Sequence, residues 1–381
     1  MIQWFTNLKF KRISNSRVID EIDGLRFIAI FLVFLIHLRG IWIEHSGLVY
    51  ELSFLDKCLA YTINIGEGGV HLFFLISGFI LAVPWIKAFE EGKKTPSIKR
   101  FYLRRLTRLE PPYVISSILF FFGLIILNKY QPIDLLQHLL ATLAYVHNFT
   151  FGYGSIINKA AWSLEIEVQF YLLVPIVLPT FYKVFRNRIF MLFLFSLLYS
   201  VLLFHILDYN HTGLHKFIHL FVTGIGWAYL YIKHNDWFQS TNYLFDLFAL
   251  TAFLIGICLN NLYGFYLIQW YILIMVNILM LGALKGTLIN KFLKFPFISI
   301  VGGMCYSIYL LHGRLISIPV IVLKNYLNTG SFILDYAILF LVIAPVTLLG
   351  SGVFYLLIER PCMDPNWYKE LLKKTRNVIK V

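Results

Sequence analysis

The first long apolar run of the chain is bracketed by ionisable residues. Asp23-Gly24-Leu25-Arg26 opens it, His37 follows eleven residues after Arg26, and every residue between them is apolar. At 100° per residue, eleven steps return to within about 20° of the same helix face, with a rise of about 16 Å, roughly half the thickness of a bilayer core. An ionisable group at such a depth is costly and is a functional candidate by default. Imidazole is the side chain best suited to take and return a proton near neutral pH. The competing explanation for His37 is a histidine satisfied by a neighbouring helix.

A second constellation lies in Trp162-Ser163-Leu164-Glu165-Ile166-Glu167-Val168-Gln169-Phe170-Tyr171. Ser163, Glu167 and Tyr171 are spaced i, i+4, i+8 and share a helix face, whereas Glu165 points about 200° away from Glu167. A carboxylate that orients an imidazole makes a general base, so the pattern predicts His37 paired with Glu167. A structural ion pair is the plainer alternative.

A third group, Arg100, Arg104, Arg105 and Arg108, precedes Glu110-Pro111-Pro112. Guanidinium forks suit phosphate oxygens, although positive-inside topology or contact with anionic lipid also explains a basic stretch here. His71 and Ser77-Gly78 lie in the second apolar run; the serine–glycine pair reads first as a helix-packing site. His312 and Arg314 follow Tyr306-Ser307-Ile308-Tyr309 in a late apolar run and are again polar groups in a costly place.

The elements that must hold these residues follow from composition. Of 381 residues, 59% are hydrophobic and only 14% charged, and the mean hydropathy is +0.73. Ordinary soluble domains run about 45–50% and about 25%, so a soluble enzyme, a coiled coil and a disordered chain are excluded. Apolar runs predict ten spans, at 25–43, 69–86, 111–127, 165–182, 189–207, 215–232, 244–260, 263–284, 299–322 and 335–358. The shorter stretch 135–149, with His138, His147 and Asn148, reads as interfacial or re-entrant. With both termini placed in the cytoplasm, 25 of the 33 Lys and Arg fall on the cytoplasmic side. That asymmetry accounts for most of the net charge of +13 without nucleic acid as a partner. The expected fold is therefore an all-α polytopic membrane protein, one integral-membrane domain over 1–381 with cytoplasmic tails at 1–24 and 359–381. Cys58, Cys258, Cys305 and Cys362 are scattered without ligand spacing, so no metal site or disulfide framework is expected. The N-terminal segment is basic and lacks a cleavable signal pattern.

Taken together, these blocks resemble the acyltransferase 3 family of bacterial membrane acyltransferases. The resemblance rests on Asp23-Gly-Leu-Arg26 with His37, Phe73-Phe-x-x-Ser77-Gly78-Phe79, Arg105-x-x-Arg108 before Pro111, Trp162-Ser-Leu-x-x-Glu167-x-Gln-Phe-Tyr171, Tyr306-Ser-Ile-Tyr309-Leu-x-His312, and Glu359-Arg360-Pro361, in that order. Two positions depart from the family pattern: His71 stands near where an acid often precedes the Phe-Phe pair, and Val168 replaces a frequent second Glu. The resemblance implies transfer of an acyl group, usually acetyl, from cytosolic acyl-CoA to a hydroxyl of a polysaccharide or glycolipid outside the cytoplasmic (inner) membrane. It places His37 and Glu167 at the catalytic centre and Arg26, Arg105 and Arg108 at the coenzyme A phosphates. Asp23, His71, Ser77, Ser163, Tyr171, His312 and Arg314 are further candidates. Some members carry an attached hydrolase-like domain; without one, this chain is expected to act alone or with a separate partner. The rival reading is a secondary transporter or a flippase for lipid-linked glycans, since such paths are also lined by His, Glu and Arg.

Overall fold

The computed structural model describes residues 19–127, 130–206, 213–263, 265–364 and 366–368. Most of the two expected tails, 1–18 and 369–381, lies outside the described residues. Every regular element among the described residues is helical. In chain order the principal helices are α1 (Asp20–Ser46), α2 (Phe54–Asn64), α3 (Gly68–Glu90), α4 (Ile98–Ile126), α5 (Pro132–Leu143), α6 (His147–Phe151), α7 (Ala161–Phe185), α8 (Ile189–Ile206), α9 (Leu214–Lys233), α10 (Tyr243–Tyr263), α11 (Phe265–Lys285), α12 (Pro296–Gly303), α13 (Cys305–Leu323) and α14 (Phe332–Phe354).

Among the described residues, six segments are long and apolar enough to cross a membrane: α1, Phe54–Glu90, α4, α7, α13, and Phe332–Cys362. Helices also occupy the other four expected spans. Three of these, α8, α10 and α11, carry shorter apolar stretches, and α9 bears His215, Lys216 and His219. At 12 residues, α5 is about 18 Å long and too short to cross.

Two boundaries differ from the sequence expectation. The third span, expected to begin at Pro111, starts at Ile98, so Arg100, Arg104, Arg105 and Arg108 sit on a helix and not in a loop. Pro111 and Pro112 lie inside that helix. A proline withdraws one backbone donor and frees the carbonyl four residues earlier. For Pro111 this is Thr107, whose carbonyl accepts a hydrogen bond from the Trp367 indole at 3.0 Å. A neighbouring element thus replaces the missing donor and the helix runs on. The ninth expected span is broken at Met304, between α12 and α13.

Helix α1 is the spine of the bundle: Leu25, Ala29, Leu38 and Trp42 are fully buried. Its neighbours approach through glycine. A Cβ on Gly302 would stand 1.7 Å from the Asp23 carbonyl oxygen, one on Gly69 2.5 Å from that of Ala29, and one on Gly66 2.6 Å from that of Leu32. Helices α3 and α9 cross in the same manner, with Gly78 against the Phe221 carbonyl and Gly224 against that of Leu75, at 2.2 and 2.1 Å for the built Cβ atoms. Between lipid-bathed helices, attraction comes from close packing rather than from water exclusion, so these contacts fix α1, α3, α9 and α12 as one unit.

A side chain at Gly224 must therefore push the α3 and α9 backbones apart. Gly224→Leu is expected to lose the folded protein, with monodisperse material disappearing from size-exclusion chromatography in detergent, because overpacking of this kind costs about 1–3 kcal/mol or more.

Candidate active site

Residues from helices α1, α3, α4, α7 and α13 line two adjoining cavities. The first, of about 100 Å³, is lined by Arg26 of α1, Ser77 of α3, Arg105 and Arg108 of α4, Glu167 and Tyr171 of α7, and Cys305, Tyr306 and Tyr309 around α13. Arg26 is held by Asp23 at 2.5 Å. Glu167 Oε1 accepts from the hydroxyls of Ser77 and Tyr171, both at 2.5 Å. The Arg105 guanidinium lies over the rings of Tyr171 and Phe101, 5.4 and 5.6 Å from their centroids. Arg108 Nε is buried without a hydrogen-bond partner. Three guanidinium groups thus face one narrow space with few carboxylates, and one donor has nothing to bind, which is the donor set an anionic ligand requires.

The second cavity is larger, about 1150 Å³, and His37, His71, His219, His312, Arg314 and Trp162 are among its lining residues. His37 Nδ1 is 2.8 Å from the Val33 carbonyl oxygen. His312 Nδ1 is 2.8 Å from the carbonyl of Tyr309 and 3.2 Å from that of Ile308. A carbonyl only accepts, so Nδ1 carries the hydrogen on each neutral ring and Nε2 keeps the lone pair. The two rings meet edge-on, with centroids 4.9 Å apart.

Sequence reasoning expected Glu167 to set the tautomer of His37. The carbonyl one turn back does that instead. Glu167 lines the arginine cavity, its Oε1 accepting from Ser77 and Tyr171, and the imidazole beside His37 belongs to His312. The physical reason is local: one hydroxyl a turn away on the same helix and one from the neighbouring α3 satisfy the half-buried carboxylate.

The two cavities share Val70 as a lining residue. Tyr309 stands beside it, its hydroxyl bonded to that of Ser163 and donating to the Ala160 carbonyl at 3.1 Å. Ser163 lies between Trp162, on the histidine cavity, and Leu164, on the arginine cavity. Val70, Ser163 and Tyr309 form the wall between the two spaces.

The other candidates divide between binding surface and scaffold. Arg314 Nη2 donates to the carbonyls of Ile156 and Ile157, both at 3.0 Å, with its guanidinium over Phe120 at 5.6 Å, so it clamps the loop before α7 onto α13. His71 lines the histidine cavity, with its Nδ1 3.0 Å from the Glu67 carbonyl. Ser77 holds Glu167 while its neighbour Gly78 makes the α3–α9 crossing.

Several residues carry roles the sequence did not disclose. Glu165, set aside for facing away from Glu167, accepts the Asn148 backbone N–H at 3.0 and 3.2 Å and anchors α6. In α5 and α6 the His138 and His147 rings are joined Nδ1 to Nε2 at 2.8 Å, and the other nitrogen of His147 donates to the Tyr153 carbonyl at 3.1 Å. Burial pushes both imidazoles below their usual range, which favours this neutral pair. Buried Glu359 accepts from the backbone and hydroxyl of Ser307 at 3.0 and 2.5 Å, within a π-helical turn at Tyr355–Glu359. Glu359-Arg360-Pro361 reads in sequence only as a helix stop; the i, i+3 spacing of Tyr306 and Tyr309 was the available signal for the wall.

A Staphylococcus aureus (strain COL) protein named "Putative O-acetyltransferase SACOL0978" is 25% identical over 339 residues, which are 81% of this chain and 52% of that protein. O-acetyltransferase OatA of Staphylococcus aureus (strain NCTC 8325) is 25% identical over 387 residues, 92% of this chain and 59% of that protein. The chain therefore spans 52–59% of the length of these relatives. No solved structure matches. The sequence profile described as an acyltransferase domain matches residues 19–356. Since that match runs over the arginine cavity, the histidine pair and the wall between them, the chain belongs to the acyltransferase 3 family.

Proposed function

We propose that the protein is an O-acyltransferase of the bacterial cytoplasmic membrane that moves an acyl group, most simply acetyl, from acyl-CoA on the cytoplasmic side to a hydroxyl of a glycan on the other. The observation that supports this most is the pairing of two cavities of opposite chemistry across one wall: guanidinium groups on one side, imidazoles with available Nε2 lone pairs on the other.

In this reading Arg26, Arg105 and Arg108 bind the anionic donor, and the unpartnered Arg108 Nε finds its acceptor there. Glu167 is a positioning residue: it holds the Ser77 and Tyr171 hydroxyls, and Tyr171 in turn supports Arg105. His37 Nε2 removes the proton of the acceptor hydroxyl. The oxygen attacks the thioester carbonyl, a C–O bond forms, the C–S bond breaks, and the thiolate leaves with the electron pair. The imidazolium then returns its proton to the thiolate, so coenzyme A departs as the thiol. His312 stands where it can share the charge on the neighbouring ring. For the thioester to meet His37 it must pass Val70 and Tyr309, so the wall is the point of transfer.

Four variants test the reading, using labelled acetyl-CoA and purified protein in detergent, where no gradient exists to drive a transporter. His37→Ala should reduce transfer about 10²–10⁴-fold, the worth of general-base help; wild-type turnover in this variant, at equal folded amount, removes the mechanism. Arg108→Ala should raise the KM for the donor about tenfold or more, with a smaller effect on kcat, because a charge-assisted hydrogen bond is lost. Glu167→Gln keeps the shape but removes the charge and should lower donor affinity along with rate. Val70→Trp should stop transfer while leaving donor binding intact, because it fills the passage and not the arginine site.

A further inference from the structure

Water and an alcohol attack a thioester by the same route. Each gives a proton to a base, forms a C–O bond at the carbonyl carbon and expels the thiolate. A site that lends its base to one lends it to the other unless water is kept away. The histidine cavity, at about 1150 Å³, has room for many waters, whereas the arginine cavity is about 100 Å³. The wall between them therefore decides whether a donor held among Arg26, Arg105 and Arg108 meets water before it meets an acceptor.

That wall is closed by a tyrosine. Tyr309 lines the arginine cavity and is 7% exposed. Its hydroxyl donates at 3.1 Å to the carbonyl of Ala160, a residue lining the histidine cavity. A hydroxyl has one hydrogen, so in its other bond it accepts from Ser163. The ring bridges Phe73, on the arginine cavity, and His312, on the histidine cavity, with centroids 5.8 and 5.7 Å away.

The backbone around this side chain is pinned. The Tyr309 carbonyl meets His312 Nδ1 at 2.8 Å, the Leu310 carbonyl accepts from Asn158 Nδ2 at 3.1 Å, and Arg314 takes the carbonyls of Ile156 and Ile157. The segment 156–160 and α13 thus stay joined if the Tyr309 ring turns about its own χ angles. Release strands no partner either. The Ser163 hydroxyl has the Ala160 carbonyl, the oxygen that Tyr309 vacates, within reach at 3.5 Å. A contact that opens without leaving those buried groups unpaired is suited to repeated opening.

We propose that the Tyr309 hydroxyl is a latch on the passage between the two cavities, closed by Ser163 and Ala160, and that it makes the protein select an acceptor alcohol over water. The proposal rests on the donor and acceptor reading of the cavities given above. With the latch open and the chamber empty of acceptor, His37 Nε2 takes a proton from water, the water oxygen joins the thioester carbonyl carbon, and the C–S bond breaks. The thiolate leaves with the electron pair and regains the proton, giving acetic acid and coenzyme A thiol. Tyr309 is a specificity determinant in this scheme and takes no part in the proton transfers.

One measurement is release of labelled acetate from acetyl-CoA by the purified full chain in detergent, with no acceptor present. Tyr309→Phe keeps the ring, loses both hydrogen bonds and should raise hydrolysis about tenfold. Ser163→Ala leaves the Ala160 bond and should give a smaller rise. Adding His37→Ala to Tyr309→Phe should remove the gain, which a leak through loosened packing would not do. In a preparation whose wild type transfers acetyl, unchanged hydrolysis in folded Tyr309→Phe, or a gain that survives His37→Ala, overturns the proposal. Should Tyr309→Phe fail to fold, Ser163→Ala decides by the same two criteria.

A second measurement needs no thioester. Cys305 lines the arginine cavity and reports on it once Cys58→Ser, Cys258→Ser and Cys362→Ser remove the other thiols. A membrane-impermeant anionic methanethiosulfonate is applied to sealed vesicles of either orientation. In this parent Cys305 should react from the cytoplasmic side alone, and with Tyr309→Phe from both sides. Equal outer-side reaction in parent and variant overturns the latch. A variant that gains outer-side reaction, in a protein that turns over no acetyl-CoA, sustains the latch and removes the enzymatic reading, so the two failures are distinguishable.

Discussion

The contact on which this architecture depends is a glycine hydrogen against a carbonyl oxygen. Where Gly302 meets Asp23 and Gly69 meets Ala29, no side chain can intervene, and α1 is held to α12 and α3 at backbone distance. Van der Waals attraction falls off within fractions of an ångström, so in lipid this closeness supplies cohesion that hydrophobicity does not. Arg26 lies one turn from the first of these contacts and His37 two turns beyond the second. Their depths, and the separation of the two cavities, are consequences of that clasp.

A second constraint acts on every polar atom brought inside: it must find a partner. The bundle meets it locally wherever it can. His37, His71 and His312 each turn Nδ1 to a carbonyl of their own helix, Glu167 gathers two hydroxyls, and Arg314 takes two carbonyls of a neighbouring loop. On His37 and His312 a carbonyl of the same helix, one turn back, thus sets which ring nitrogen carries the hydrogen, and no carboxylate is needed for that.

Much of this was legible in the sequence. The long apolar runs made the all-helical, membrane-type fold readable, and six segments among the described residues are long and apolar enough to cross a membrane, fewer than the ten expected. What was not legible concerns relations between helices. The i, i+4, i+8 face of Ser163, Glu167 and Tyr171 was correct as a face, yet nothing in the spacing tells which cavity it borders or that Ser77 supplies the partner. Pro111-Pro112 looked like a helix start because the donor that replaces the missing N–H comes from Trp367, more than 250 positions away.

The indole of Trp367 is bonded to a carbonyl one residue before Arg108. Leu109, next after that arginine, is bonded to Tyr306 at the start of α13. The turn bearing Arg108 is thus tethered from two sides, by the segment that follows the last helix and by the helix that carries His312. A mechanical load applied to the carboxyl-terminal segment would be transmitted to a guanidinium group of the narrow cavity through one hydrogen bond and a single helical turn, which makes that segment a lever arm on the arginine-lined end of the bundle.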